Sequence, residues 1–204
     1  MATATFLSEG HIYEHDGIVV PSVTQVLGLA GISDVSQVPL HYLERAAGIG
    51  TAVHQACEFL DQDDLDIESV DSSIVGYVLA YQRFREEQQF FPLTIEQRQI
   101  ANVDGFYYGM CVDRVGMMGD KPLLIDLKTA SKRQKFWSIQ TAAYSVGMAD
   151  QIDYPDRCAR ACVHLAKEGT YDLIPHAEEA DFEVWWAALR VAHWKLAHGT
   201  KLPK

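Results

Sequence analysis

Several things are missing or scarce in this sequence, and each shortage removes a class of protein. No apolar run in the 204 residues approaches the roughly 20 consecutive residues a membrane helix needs. The opening, MATATFLSEG, has neither the basic nor the apolar region of a signal peptide. Together these absences lead to the expectation of a soluble intracellular protein. Cysteine is scarce: Cys57, Cys111, Cys158 and Cys162 are the four, and no Cys-x-x-Cys pair occurs. Disulfides, a zinc site and an iron–sulfur cluster are therefore not expected, and the thiols read as reduced and mostly buried. Repeats and low-complexity tracts are absent. Positive charge is also short, with 17 Lys and Arg against 28 Asp and Glu and a net charge of -11. That is a poor average for a nucleic-acid binder, although binding answers to the local field rather than to the average.

What is present suits an ordinary core: 48% hydrophobic and 22% charged residues, in a length that favours one domain over 1–204. Within it, 1–91 reads as a hairpin and helical part, 92–176 as a sheet with one helix, and 177–204 as a final helix. The hairpin is Gly10 to Val20 around an Asp16-Gly17 turn. Ser22 is placed to cap a helix from Val23 to Leu29. Pro39 to Leu60 has helical spacing, with Gly48 and Gly50 marking a break or a close backbone contact. Acidic residues dominate the connector from Asp61 to Asp71, and an amphipathic helix follows over Ser72 to Phe90. Strands at Leu93–Ala101, Phe106–Val115 and Leu123–Thr129, with short connections, predict an antiparallel meander. A helix over Gln134–Ala149, strands at Ala159–Ala166 and Thr170–Ile174, and a helix over Glu178–His198 complete the chain. That last helix has an apolar stripe of Phe182, Trp185, Trp186, Leu189 and Leu196, read as core.

The chemistry-bearing residues gather in Met117 to Tyr144. Asp126 and Lys128 are two apart on a strand and so project from the same face. Gln140 and Tyr144 are four apart on a helix and share its face. A carboxylate beside an ammonium, backed by a polar helix face, can hold a metal ion against a phosphodiester. Leu127 to Ala149 contains no acidic residue but includes Lys128, Lys132, Arg133 and Lys135, a positive patch on an acidic chain. Upstream come His54 on a helix, four before Glu58, and Glu96 and Asp113 on successive strands.

The ordered set resembles the PD-(D/E)XK nucleases of the RecB type, the phage and bacterial exonucleases related to lambda exonuclease and RecE. Gly50-Thr51-Ala52-Val53-His54 matches the family's G-x-x-x-H helix, Asp113 its first acidic motif, and Ile125-Asp126-Leu127-Lys128-Thr129 its D-x-K strand. Gln140-Thr141-Ala142-Ala143-Tyr144 matches its Q-x-x-x-Y helix, and VPSVTQVL, from Val20 to Leu27, is similar to the opening of phage-encoded members. Two departures stand out: Val112 replaces the proline, and Gly109 lies four residues before Asp113 rather than three.

The resemblance implies an α/β restriction-endonuclease-like core, in which a central mixed sheet with an antiparallel meander is flanked by helices and preceded by a helical elaboration. It implies an Mg²⁺-dependent deoxyribonuclease, with Mn²⁺ able to substitute, since hard oxygen ligands suit both ions. His54, Asp113, Asp126 and the Leu127 carbonyl would hold the ion, with Glu96 as a further carboxylate. Lys128 would contact the attacking water and the scissile phosphate, and Gln140 and Tyr144 would position the strand and the DNA end. Lys132, Arg133 and Lys135 would meet DNA phosphates, while Phe136 and Trp137 are candidates either for stacking on a frayed base or for the core. The expected partners are duplex DNA ends and a single-strand annealing recombinase, in the cytoplasm of a bacterium or phage-infected host; homo-oligomers are compatible with the family. The alternatives are an iron–sulfur-lacking relative of the CRISPR-adaptation and AddB nucleases, and an inactive nuclease fold serving as a DNA-binding or assembly module.

Overall fold

In the computed structural model the described residues are 4–7, 12–34, 38–150 and 158–203. Gly10 and His11 of the expected hairpin and Lys204 of the tail lie outside them. Strands β1 (Ala4–Leu7), β2 (Ile12–His15) and β3 (Ile18–Val20) form a small antiparallel sheet. The β2–β3 turn sits where expected, with Asp16 and Gly17 both at positive φ, as a two-residue hairpin of this twist requires. Strand β1 was not expected from the sequence; it pairs with β2 from Ala4↔His15 to Leu7↔Ile12.

Ser22 caps α1 (Val23–Leu29) through a full capping box with Gln25. Helix α2 (Leu40–Asp61) then runs unbroken for 22 residues. The break expected at Gly48 and Gly50 does not occur: a Cβ at Gly48 would meet nothing, and one at Gly50 only the Thr129 hydroxyl at 3.7 Å. A glycine inside a helix costs about 1 kcal/mol relative to alanine, which lowers stability without forcing a kink. Helix α3 (Val75–Gln88) follows and ends at Gln89, which adopts the left-handed conformation of a helix stop.

The main sheet has the order β4-β5-β6-β7-β8. Strands β4 (Phe90–Val103), β5 (Phe106–Met118) and β6 (Lys121–Lys128) are the antiparallel meander, longer at several ends than the sequence suggested. Helix α4 (Trp137–Gly147) carries the chain over to β7 (Ala159–Leu165), which pairs parallel to β6. Strand β8 (Tyr171–His176) returns antiparallel, and α5 (Ala180–Ala197) closes the fold. The sheet is therefore mixed and flanked by helices, as expected.

Each face of the sheet has its own core. Helices α1, α4 and α5 bury Val26, Tyr144, Trp185 and Leu189 against Tyr108, Met110 and Leu124. Helices α2 and α3 bury Val53, Val78, Tyr81 and Phe84 against Leu123, Ile125 and Leu127. Alternation along β6 thus sends odd positions to one core and even positions, Asp126 and Lys128 included, toward α4. In α5, Trp185 and Leu189 are buried as the stripe predicts, whereas Trp194 is 61% exposed. Among the described residues no helix is long and apolar enough to cross a membrane. All four cysteines are free, with Cys57 and Cys162 buried and Cys111 and Cys158 half-buried.

Candidate active site

A cleft of about 550 Å³ opens where the second half of α2 faces β4, β5, β6 and α4. Helical spacing brings Gly50, Thr51, His54, Gln55 and Glu58 to one wall. Glu96 and Arg98 come from β4, Asp113 from β5, Asp126, Leu127 and Lys128 from β6, and Gln140 and Tyr144 from α4. The residues that the sequence ordering grouped, drawn from five elements, do meet in one place.

His54 sits at the centre. Its Nε2 lies 3.2 Å from the Leu127 carbonyl, so that nitrogen carries the proton and donates. Its Nδ1 lies 3.4 Å from Glu96 Oε1 and 3.5 Å from Asp113 Oδ1. A neutral imidazole in that pose would aim a lone pair at two carboxylates. The arrangement calls for a proton or a metal ion between the ring nitrogen and the carboxylates. In the absence of an ion, burial pushes the imidazole down, but Asp113 and Glu96 outweigh it and raise His54 to about 9. Burial likewise pushes the Asp113 carboxyl up, with Asp126 and Glu96 adding to it against the pull of His54. For Glu96, burial is opposed and overcome by hydrogen bonding and attraction from His54 and by Arg114, which hold it well below the usual range.

His54, Glu96 and Asp113 each offer a ligand atom, all within 4.8 Å of one another. One nitrogen and several carboxylate oxygens form a donor set that fits a hard divalent ion. Asp113 is also fixed by its backbone neighbour, since Oδ2 accepts the Leu127 N–H at 2.6 Å. The resemblance implies Asp113 and Asp126 as the metal carboxylates. In the structure Asp126 pairs instead with Lys128 Nζ and accepts a weak S–H contact from Cys162 at 3.8 Å. It lines the same cleft but stands outside the group of three.

Lys128 is held on three sides. Besides Asp126, Nζ donates to Gln140 Oε1 at 2.9 Å and lies 5.8 Å from the centre of the Trp137 ring. Gln140 Nε2 in turn donates to the Tyr144 hydroxyl at 2.7 Å, so the helix pair forms a relay behind the lysine. Trp137 is only 3% exposed and packs edge-on against His164, so its ring is not open to stack on a base. Phe136 is half-buried against the α1–α4–α5 core. The aromatic pair belongs to the interior. Lys132, Arg133 and Lys135 are exposed, and Arg133 reaches Asp172 at 3.0 Å.

Three residues that support Glu96, namely Arg114, Asp61 and Arg98, are not among the site residues expected from the sequence, although Glu96 itself is. Glu96 has a φ of 47°, left-handed and strained for a residue with a side chain, in the middle of a strand. Opposite it, Val112 and Val115 join the same core although three apart, so the alternation of β5 slips there. Arg114 lies fully buried beneath Glu96, and Asp61 anchors it. Arg98 lines the cleft with its guanidinium 3.8 Å from Glu96 and over the Phe6 ring. A signal for Arg114 existed: an arginine in the interior of a mostly apolar strand, beside Asp113, needs a carboxylate partner. Nothing in one dimension pointed to Asp61, 53 residues away.

No protein-family model matches the chain, and no curated protein sequence matches it. Its fold does have a counterpart among solved structures. A crystal structure of a candidate exonuclease from Eubacterium rectale aligns over 91% of this chain and 90% of its own, with 11% identity and a TM-score of 0.51. At that identity the likeness shows a shared mixed α/β fold. The structure of the protein SSO0001 covers 74% of this chain and 76% of its own at 15% identity, but its TM-score of 0.38 is too low to bear on the fold.

Proposed function

We propose that this chain is a metal-dependent nuclease that hydrolyses phosphodiester bonds of DNA. The observation that carries the reading is the pose of His54, whose Nδ1 faces Glu96 and Asp113 in an open cleft beside a fixed lysine. A divalent ion bound there would neutralise phosphate oxygens and lower the pKa of a water. His54, Glu96 and Asp113 would hold it, with Asp126 alongside; Mg²⁺ is the expected ion and Mn²⁺ its substitute. Lys128, kept in place by Asp126 and Gln140, would meet the scissile phosphate and the charge that develops on it. Gln140 and Tyr144 would keep that ammonium from swinging away.

An exonuclease of the RecB and lambda type, acting on linear duplex ends in phage-type recombination beside an annealing protein, is the finer reading. It is supported by the motif order and by the fold shared with a protein named as a candidate exonuclease. The test is product analysis on 5′- and 3′-labelled linear DNA and on circular DNA with Mg²⁺. Loss of label from linear DNA alone is expected. Lys128→Ala should lower the rate by on the order of 10²- to 10³-fold with the fold retained, the usual scale for one transition-state charge contact. Undiminished cleavage in that variant would refute the assignment.

A further inference from the structure

The Arg114 side chain makes no contact with the cleft, yet it is tied to two of the residues that form it. It is fully buried, one position after Asp113 on β5. Its Nε donates to the Asp61 carboxylate, while Nη1 donates to Glu96 Oε1 at 3.1 Å and to the Asp113 carbonyl at 2.7 Å. Asp61, the last residue of α2, also receives Arg85 Nη1 at 3.0 Å and the Tyr81 hydroxyl at 3.0 Å, both from α3. One guanidinium thus joins the α2–α3 layer to the left-handed turn of β4.

Burying this much charge is a costly way to hold a fold together, because desolvation consumes most of the Coulomb gain and apolar packing of the same volume does as well or better. The buried Nη2 of Arg114 even lacks a hydrogen-bond partner among the described residues. Geometry is what such a pair supplies. A planar fork fixed on Asp61 by one arm sets the direction of the other, which a lysine ammonium cannot do. Glu96 needs that direction: its backbone is strained, and Oε1 is the atom turned toward His54 Nδ1.

We propose that Arg114, oriented by Asp61, is a positioning residue that aims the Glu96 carboxylate at the ion site. This inference rests on the metal-dependent reading of the cleft. Its test is Mn²⁺ binding to DNA-free protein, followed by calorimetry and by the electron paramagnetic resonance of the ion, with folding checked by circular dichroism and thermal melting. Glu96→Gln and Arg114→Lys should each weaken Mn²⁺ binding by on the order of 10- to 100-fold, the usual effect of losing a ligand's support. The double variant Glu96→Gln/Arg114→Lys should bind no more weakly than the weaker single variant, since Arg114 acts through Glu96. Asp61→Asn, nearly isosteric with the native side chain, should reproduce the loss and serves if Arg114→Lys does not fold.

A folded Arg114→Lys or Asp61→Asn protein with native Mn²⁺ affinity overturns the inference. So do single losses that multiply in the double variant, because Arg114 would then act independently of Glu96. Wild-type protein that binds no Mn²⁺ removes the metal reading itself, and the positioning role with it.

Discussion

His54 uses its two ring nitrogens differently, and its pH response follows from that. Nε2 is committed to the Leu127 carbonyl, while Nδ1 faces two carboxylates that favour a positive charge. In metal-free protein its pKa is raised to about 9 from an ordinary 6.5. A raised folded-state pKa stabilises fully below about 6.5 and loses its contribution as pH climbs through about 9. In EDTA the protein should melt several degrees lower at pH 9 than at pH 6.5, and His54→Gln should flatten that difference. An equal pH response in the two proteins would show that His54 carries no shifted proton. Glu96 offers a second test at this scale, because its φ of 47° suits glycine. Glu96→Gly and Glu96→Ala remove the same carboxylate, yet the glycine variant should be more stable by about 1 kcal/mol in urea denaturation. Equal stabilities would mean the left-handed turn at Glu96 is not maintained without its carboxylate.

Among the elements, the small N-terminal sheet is fastened to the main sheet at Gly109. Its N–H donates to the Pro21 carbonyl at 2.9 Å, and a Cβ there would fall 2.0 Å from the Tyr13 ring. The sequence singled out Gly109 for its distance from Asp113, but the structure gives it a different job, as the seat of an aromatic ring. Gly109→Ala should cost about 1–3 kcal/mol, the usual penalty of overpacking, as read by urea denaturation. A neutral result would show that Tyr13 can move away freely. Most elements were legible because local signals agreed: Asp16-Gly17 for the hairpin, Ser22 for the α1 start, and short connections for the meander. The unbroken α2 was not legible, since glycine propensity is a small local cost that packing of Val53, Ala56 and Cys57 outweighs. Strand β1 was not legible either, because its four residues acquire a partner only in three dimensions.

For the whole molecule, the proposed function raises the question of how a chain of net charge -11 would meet a polyanion. Its cleft adds Glu58, Glu96, Asp113 and Asp126 to that problem. DNA should bind at least about tenfold more tightly in Ca²⁺ than in EDTA by fluorescence anisotropy, because an ion in the cleft offsets local repulsion. Identical affinities would place the DNA away from the carboxylates. Lys132 and Lys135 project from an exposed segment beside the cleft strand, whereas Arg133 shares its charge with Asp172. Lys132→Ala and Lys135→Ala should each reduce the slope of log affinity against log salt by about 0.9, and Arg133→Ala by less. An unchanged slope in both lysine variants would remove the segment from the DNA path.

The sequence by itself determined the order and type of most elements, the Asp126–Lys128 strand, the Gln140–Tyr144 helix face and the candidacy of His54, Glu96 and Asp113. The elements, the strand pair and the helix face depend on periodicity and spacing, which act within a few residues, whereas the candidacy of His54, Glu96 and Asp113 comes from the resemblance to a known family. Tertiary structure decided which carboxylates stand together, because that depends on register and on a left-handed turn at Glu96 that no local signal announces. It also moved Trp137 into the interior and placed Asp61 under Arg114. A buried charge can be recognised in one dimension, but its partner is chosen only when distant elements pack.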